Sequence, residues 1–217
     1  MPSMLCPLNS DMRFVIYVKK GIYYENVRVE NEKWNVMMFG DGLDNTIVSS
    51  NLSIASGTPT ILTATFAAYG KGFIARDMGF QNTAGAAMYQ AVALLSKSDQ
   101  SVFYRCSIDA YQDTLYTQSN RQFYRECKIY GTIDIIFGDS SVVIQNSTIL
   151  VKRPLLGQIN TITAQGKSQP AFQHWHIHTK LYYSTCRESF GGSNILGSAM
   201  EKLLDHCYHG KPIGKLD

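Results

Sequence analysis

From residue 13 onward, apolar positions come in short runs closed by glycine or polar turns, and helical spacing is almost absent. FVIYV at 14–18 is continuously apolar and rich in β-branched residues, as in a strand covered on both faces. GIYYENVRV at 21–29 follows, with Gly21 as punctuation and Val27 and Val29 alternating. WNVMMFGDG at 34–42 is a further apolar run ended by a turn signal. Residues 63–85 give two short strands split by Gly70 and Gly72. QAVALL, VFYRCSI, QFYRECKI and VVIQNSTI then succeed one another with polar turns between them. Before residue 195 no helical period persists past two turns, save around 85–93, and residues 1–12 read as an irregular lead-in.

These segments repeat. Ile108, Ile129 and Ile149 stand 21 and 20 residues apart, and Cys106, Cys127 and Ser147 keep the same intervals. Such periods mark solenoids, in which one coil cannot bury its apolar face alone and stacks on the next. Short strands and turns as the unit predict an all-β fold, a right-handed parallel β-helix. A β-sandwich with coincidental spacing is the alternative.

Composition agrees. The 217 residues suffice for one domain with a sizeable core, and 17 Gly with 13 Tyr and 10 Phe suit a turn-rich β fold. A net charge of +3 is only weak support for an anionic partner. Five cysteines do not make a disulfide scaffold at this length. The first residues lack the pattern of a signal peptide, and no run reaches the roughly 18 apolar residues of a membrane span. A soluble chain is expected, with no membrane or nucleic-acid partner.

Chemistry enters with the repeat. Asp113 and Asp134 are 21 residues apart, so stacked coils would set their carboxyls about 5 Å apart. Gln90 precedes Gln112 by 22 residues, which stacks their amides on the same face. Two carboxyls that close titrate as a pair, one protonated beside one ionised. That division serves acyl transfer, with the amides aimed at a developing oxyanion. A ladder of Asp side chains that merely satisfies turn backbone would use the same spacing.

At these residues the chain resembles plant pectin methylesterases, over roughly 11–173. The motifs are GIYYE, GFQNTAG, QAVAL, YQDTLY and GTIDIIFG, with GQINTITAQGK after them. The resemblance implies a pectin lyase-like right-handed β-helix at 13–173 and hydrolysis of galacturonyl methyl esters to pectate and methanol, without a metal or other cofactor. It implies Asp134 as nucleophile, Asp113 as acid and then base, Gln112 and Gln90 as the oxyanion hole, and Tyr116 and Phe137 as sugar-binding aromatics. Pectin is the implied partner, with a proteinaceous inhibitor possible, and a monomer in the cell wall is expected. Leu95 stands where the family commonly has Arg, and Ile135 where it has Phe; both are expected to trim the cleft. Cys106 and Cys127, on adjacent coils, would either form a disulfide or remain buried thiols.

The resemblance stops after Gln173. All five histidines lie beyond it, and the strand pattern is expected to dissolve into an irregular tail at 174–217. HWHIH puts three alternate histidines on one strand face, but a metal site is not expected there. LGRPW, the family's next landmark, carries an Arg that hydrogen-bonds the nucleophile, and it is absent. The codons of residues 194–216 can be chosen so that, read one base later, they give TYLGRPWKNYSTIVIMESPLGNL. HWHIH, with Gln173 before it, can be shifted likewise to the family-like NTGISI. The tail therefore reads as frame-shifted, the N-terminus reads as short, and little or no esterase activity is expected of this chain. Two rival functions remain: a β-helix polysaccharide hydrolase, since close carboxyls also suit a retaining glycosidase, and a catalytically dead pectin-binding fragment.

Overall fold

The computed structural model describes residues 6–166 and the strand His176–Tyr183. Every named strand pair in it is parallel, and the strands form a right-handed parallel β-helix with three faces. Face one stacks β1 (Phe14–Tyr17), β4 (Val36–Phe39), β7 (Ile74–Arg76), β10 (Ser101–Tyr104) and β13 (Arg121–Arg125). Face two stacks β2 (Gly21–Tyr24), β5 (Thr46–Ser50), β8 (Gly79–Asn82), β11 (Ser107–Asp109) and β14 (Lys128–Gly131). Face three stacks β3 (Val27–Val29), β6 (Phe66–Ala68), β9 (Leu94–Ser96), β12 (Leu115–Thr117), β15 (Ile136–Gly138) and β17 (Thr163–Gln165). The long β16 (Ser141–Val151) serves two faces: its first half pairs with β13 and its second half with β14. Asn146, at φ 50°, stands at the irregularity between those halves.

The repeat in the sequence is the register of the coils. Ile108 pairs with Ile129 and Ile129 with Ile149, and all three are buried. Val27, Phe66, Leu94, Leu115 and Ile136 form the matching stack under face three. One inward side chain per strand suffices, because each coil presents the same face to the next and apolar area is removed from water twice over. Phe103 stacks on Tyr124 with centroids 4.8 Å apart, and the buried Tyr124 hydroxyl donates to Gln122 Oε1 at 2.8 Å. Cys106 and Cys127 are buried free thiols, with Cys127 Sγ 3.4 Å from the Phe103 carbonyl.

Two differences from the expectations appear. Ile135 is fully buried in the main core, so it does not reach the cleft. β18 (His176–Tyr183) pairs in parallel with β16, beyond the residue 173 boundary at which strands were expected to cease. The edge of a last coil offers unpaired N–H and C=O groups in a row, a template that accepts a strand of many sequences. The rest of the tail, including the absent LGRPW position, lies outside the described residues.

Gly138 fixes how tightly the third face can stack. Its φ is 125°, and a Cβ there would lie 2.1 Å from the Thr117 carbonyl oxygen on the neighbouring coil. Backbone strain and overpacking then act together. Gly138→Ala is expected to cost about 2–5 kcal/mol in denaturant unfolding.

Candidate active site

The site lies at the turn between faces two and three, where each coil leaves β11 or β14 to enter β12 or β15. Gln90 pairs with Gln112, and Gln112 with Ile133, as isolated parallel bridges. The Asp113 N–H donates to the Ile133 carbonyl at 3.0 Å, and the Leu115 N–H to that of Ile135 at 2.9 Å. This register sets Asp134 opposite Asp113 on the next coil, one strand spacing or about 4.8 Å away along the backbone. Both aspartates are left-handed, at φ 64° and 48°. Asp tolerates that region better than most residues. The Thr114 hydroxyl donates to the Tyr130 carbonyl at 2.8 Å, and the Thr132 N–H to the Tyr111 carbonyl at 2.7 Å, which ties the two turns together.

The two carboxyls differ in environment. Asp113 is 7% exposed. Burial, and secondarily the neighbouring Asp134, pushes its pKa up from 3.8 to about 7. Asp134 is less buried, and burial raises its pKa as well. Among the described residues neither carboxyl accepts a hydrogen bond, so nothing offsets their desolvation. Burial thus raises both carboxyl pKa values, and at Asp113 the neighbouring Asp134 charge adds to the rise.

Tyr116 and Phe137 pair in register and stack with centroids 4.3 Å apart at 15°. Both pack against an outer bed of Ala64, Ala67, Val92 and Leu95, separate from the main core. Leu95 belongs to that bed but is itself fully buried, so it supports the aromatics from below rather than lining open space.

Two parts of this region were missed in the sequence. Tyr69 packs on the same outer bed as Tyr116 and Phe137; it lies just past β6 in a coil whose long turn breaks the 21-residue spacing. Lys152 forms an ion pair with Asp109 and stands 4.3 Å from the Tyr111 ring centroid, beside Gln112. Their separation of 43 residues is about two repeat periods, so the signal was present.

Comparison with known proteins gives the family. The profile described as Pectinesterase matches residues 4–186. The chain belongs to the pectinesterase family. It is 58% identical over 164 residues to the putative pectinesterase/pectinesterase inhibitor 24 of Arabidopsis thaliana, covering 76% of this chain and 29% of that protein. It is likewise 58% identical over 167 residues to pectinesterase/pectinesterase inhibitor PPE8B of Prunus persica, covering 77% of this chain and 32% of the relative. The solved structure of a pectin methylesterase from carrot superposes with a TM-score of 0.83 at 47% identity, over 84% of this chain and 58% of that one. The chain thus spans about a third of the length of these curated pectinesterases, and its family is that of a carboxylic ester hydrolase.

Proposed function

We propose that this chain carries the nucleophile, acid and oxyanion donors of a pectin methylesterase acting on methyl-esterified galacturonan in the plant cell wall, outside the cell. The observation that supports this most is the pair of aspartates opposite each other on adjacent coils, one more buried than the other, in register with two stacked glutamines. The Asp134 carboxylate attacks the ester carbonyl carbon, and the oxygen that becomes negative accepts hydrogen bonds from the Gln112 and Gln90 amides. Asp113 gives its proton to the methoxy oxygen, the C–O bond breaks and methanol leaves. An acyl–Asp134 anhydride remains. Asp113, now ionised, takes one proton from water as that water attacks the acyl carbon; the Asp134 carboxylate leaves, both aspartates are restored, and the galacturonic acid released loses its proton to solvent. Tyr116 and Phe137 form the sugar platform.

The tail bears on turnover. No LGRPW occurs in the 217 residues, whereas codons can be chosen for 194–216 such that a one-base shift would give it. We infer that residues 174–217 are read in a displaced frame, so that the β-helix domain proper covers 13–173, and that the chain as written turns over poorly. β18 lies beyond the inferred slip and pairs there through backbone. Sequencing the transcript across the codons for residues 170–178 tests this; an undisturbed frame in independent clones rejects it.

The esterase reading predicts methanol release from methylated pectin without new reducing ends, measured on the frame-corrected chain. New reducing ends without methanol would instead identify a glycosidase. Gln112→Ala in that chain is expected to lower kcat by roughly 10²–10³ while leaving pectin retention intact, since its amide acts on charge formed only in the transition state. The relatives' names pair pectinesterase with pectinesterase inhibitor, which makes an inhibitor protein a further partner to test; a monomer is the expected working form.

A further inference from the structure

A polar network crosses the outer side of face two and ends against the turns that bear the aspartates. Ser49, Gln81, Asp109 and Tyr130 pair in register on successive coils, beside the core row Val48, Phe80, Ile108 and Ile129. The Gln81 amide links the first three. Its Oε1 accepts from the Ser49 hydroxyl and its Nε2 donates to Asp109 Oδ2, both at 3.5 Å. The other carboxylate oxygen, Asp109 Oδ1, accepts from the ammonium of Lys152, two coils further on. That ammonium also lies 4.3 Å from the Tyr111 ring centroid and 6.0 Å from that of Tyr130. One cation thus joins three successive coils at the start of the turns carrying Asp113 and Asp134.

Lys152 is anchored at both ends. Its backbone N–H donates to the Gly131 carbonyl at 2.7 Å, and its carbonyl accepts from Asn160 Nδ2 at 2.9 Å. Its side chain is 22% exposed and that of Asp109 27%, so solvent screens the pair less than it screens a surface ion pair. What the cation holds is the Tyr111 ring. Tyr111 immediately precedes Gln112 and Asp113, and its carbonyl accepts from the Thr132 N–H, in the turn that leads to Asp134. Pinning that ring pins the first residue of the turn bearing the Gln112 amide. A hydrogen-bond donor misplaced by about 1 Å can cost on the order of 10²-fold in rate. The raised Asp113 pKa answers to burial and to the Asp134 charge, so Lys152 reaches the site through Tyr111 rather than through its own field.

We propose that Lys152 is a positioning residue for ester hydrolysis: its ammonium, clamped between Asp109 and the Tyr111 ring, holds the turn that carries Gln112 and Asp113. Its effect on rate rests on the esterase reading, whereas the clamp itself does not. Without the ammonium, the turn keeps its backbone pairing but loses the pin on its first residue. Water then reaches Asp113 more freely, and the Gln112 amide strays from the oxygen that becomes negative. Tyr116 and Phe137 pack on a separate outer bed, so sugar binding is untouched.

The test has two readouts. In the 217-residue chain, the Asp113 carboxyl is titrated by carbon NMR. Lys152→Met is expected to lower its titration point by about one pH unit, as water reaches the carboxyl, with the unfolding midpoint little changed. Lys152→Arg, which keeps the ion pair and the ring contact, is expected to leave it where it was. Tyr111→Leu removes the ring, keeps the ion pair and is expected to lower the titration point as Lys152→Met does; it decides the case should Lys152→Met not fold. In the frame-corrected chain, Lys152→Met is expected to lower kcat for methanol release roughly tenfold at unchanged KM, and Lys152→Arg to keep most of it. An Asp113 titration point that rises in Lys152→Met shows the cation acting by its charge, and one that does not move shows no clamp; either result overturns the proposal. A raised KM at unchanged kcat makes Lys152 a substrate contact and overturns it too. An unsubstituted frame-corrected chain that releases no methanol overturns the esterase reading, while the Asp113 titration still decides the clamp.

Discussion

Asp134→Asn should abolish methanol release from the frame-corrected chain, by roughly a thousandfold or more. An amide is nearly isosteric with the carboxylate, so the coil geometry, with Asp134 opposite Asp113, survives the change. What disappears is the negative oxygen that attacks. Burial already raises the Asp134 pKa, so exchanging this group for a neutral one should not lower stability and should slightly raise it at neutral pH. Loss of turnover at unchanged or higher unfolding midpoint is the expected combination. Activity within tenfold of the unsubstituted chain would remove Asp134 from the mechanism. A collapse of stability would show that the site is held together by a contact of this carboxylate.

Asp113→Asn should also disable turnover, by roughly 10²–10⁴, because on the proposed mechanism it removes the group that protonates the methoxy oxygen and later activates water. Its effect on stability depends on pH, and the sign follows from the raised pKa. In the unfolded chain the carboxyl titrates near 3.8, and in the folded protein near 7. Between those values the folded state binds the extra proton, so the contribution of Asp113 to stability is intact below about 4 and declines as pH rises through 7. Above pH 7 a buried, ionised carboxylate beside Asp134 opposes folding, by an order-of-magnitude ceiling of about 4 kcal/mol for this rise in pKa. Asn carries no such charge. The Asp113→Asn chain is therefore expected to gain stability over the unsubstituted chain at pH 8 and to show little difference at pH 4, measured by denaturant midpoints at both. Equal effects at the two pH values would mean that Asp113 titrates as an ordinary carboxyl, and the acid would have to be sought elsewhere. The alkaline limb of kcat/KM in the frame-corrected chain should fall near the same value.

Much of the site was legible because a solenoid writes its geometry into one dimension. Ile108, Ile129 and Ile149 are neighbours in space because they are neighbours modulo the coil length. The same arithmetic brought Asp113 to Asp134 and Gln90 to Gln112. It failed where coil length varies. Tyr69 sits after a long turn containing the 3₁₀ segments Ile54–Ser56 and Thr60–Leu62, so no constant offset carries it to Tyr116. Inward and outward positions near a corner also escaped the linear reading. Ile135 follows Asp134 directly, yet the left-handed turn at Asp134 sends the next side chain into the core, so the residue expected at the cleft is part of its foundation.

The sequence by itself determined the fold class, the coil register and the pairing of Asp113 with Asp134, since each depends on spacing along the chain and backbone pairing turns spacing into position. Only the tertiary structure decided which aspartate is the deeper. That difference comes from how much protein surrounds each carboxyl and from the charge of its neighbour, which are properties of the packed coils. The tertiary structure likewise decided that Arg28, far from Tyr116 and Phe137 in the chain, falls in the same strand row as they do. Strand pairing carries it there, and the Tyr69 ring holds its guanidinium in place.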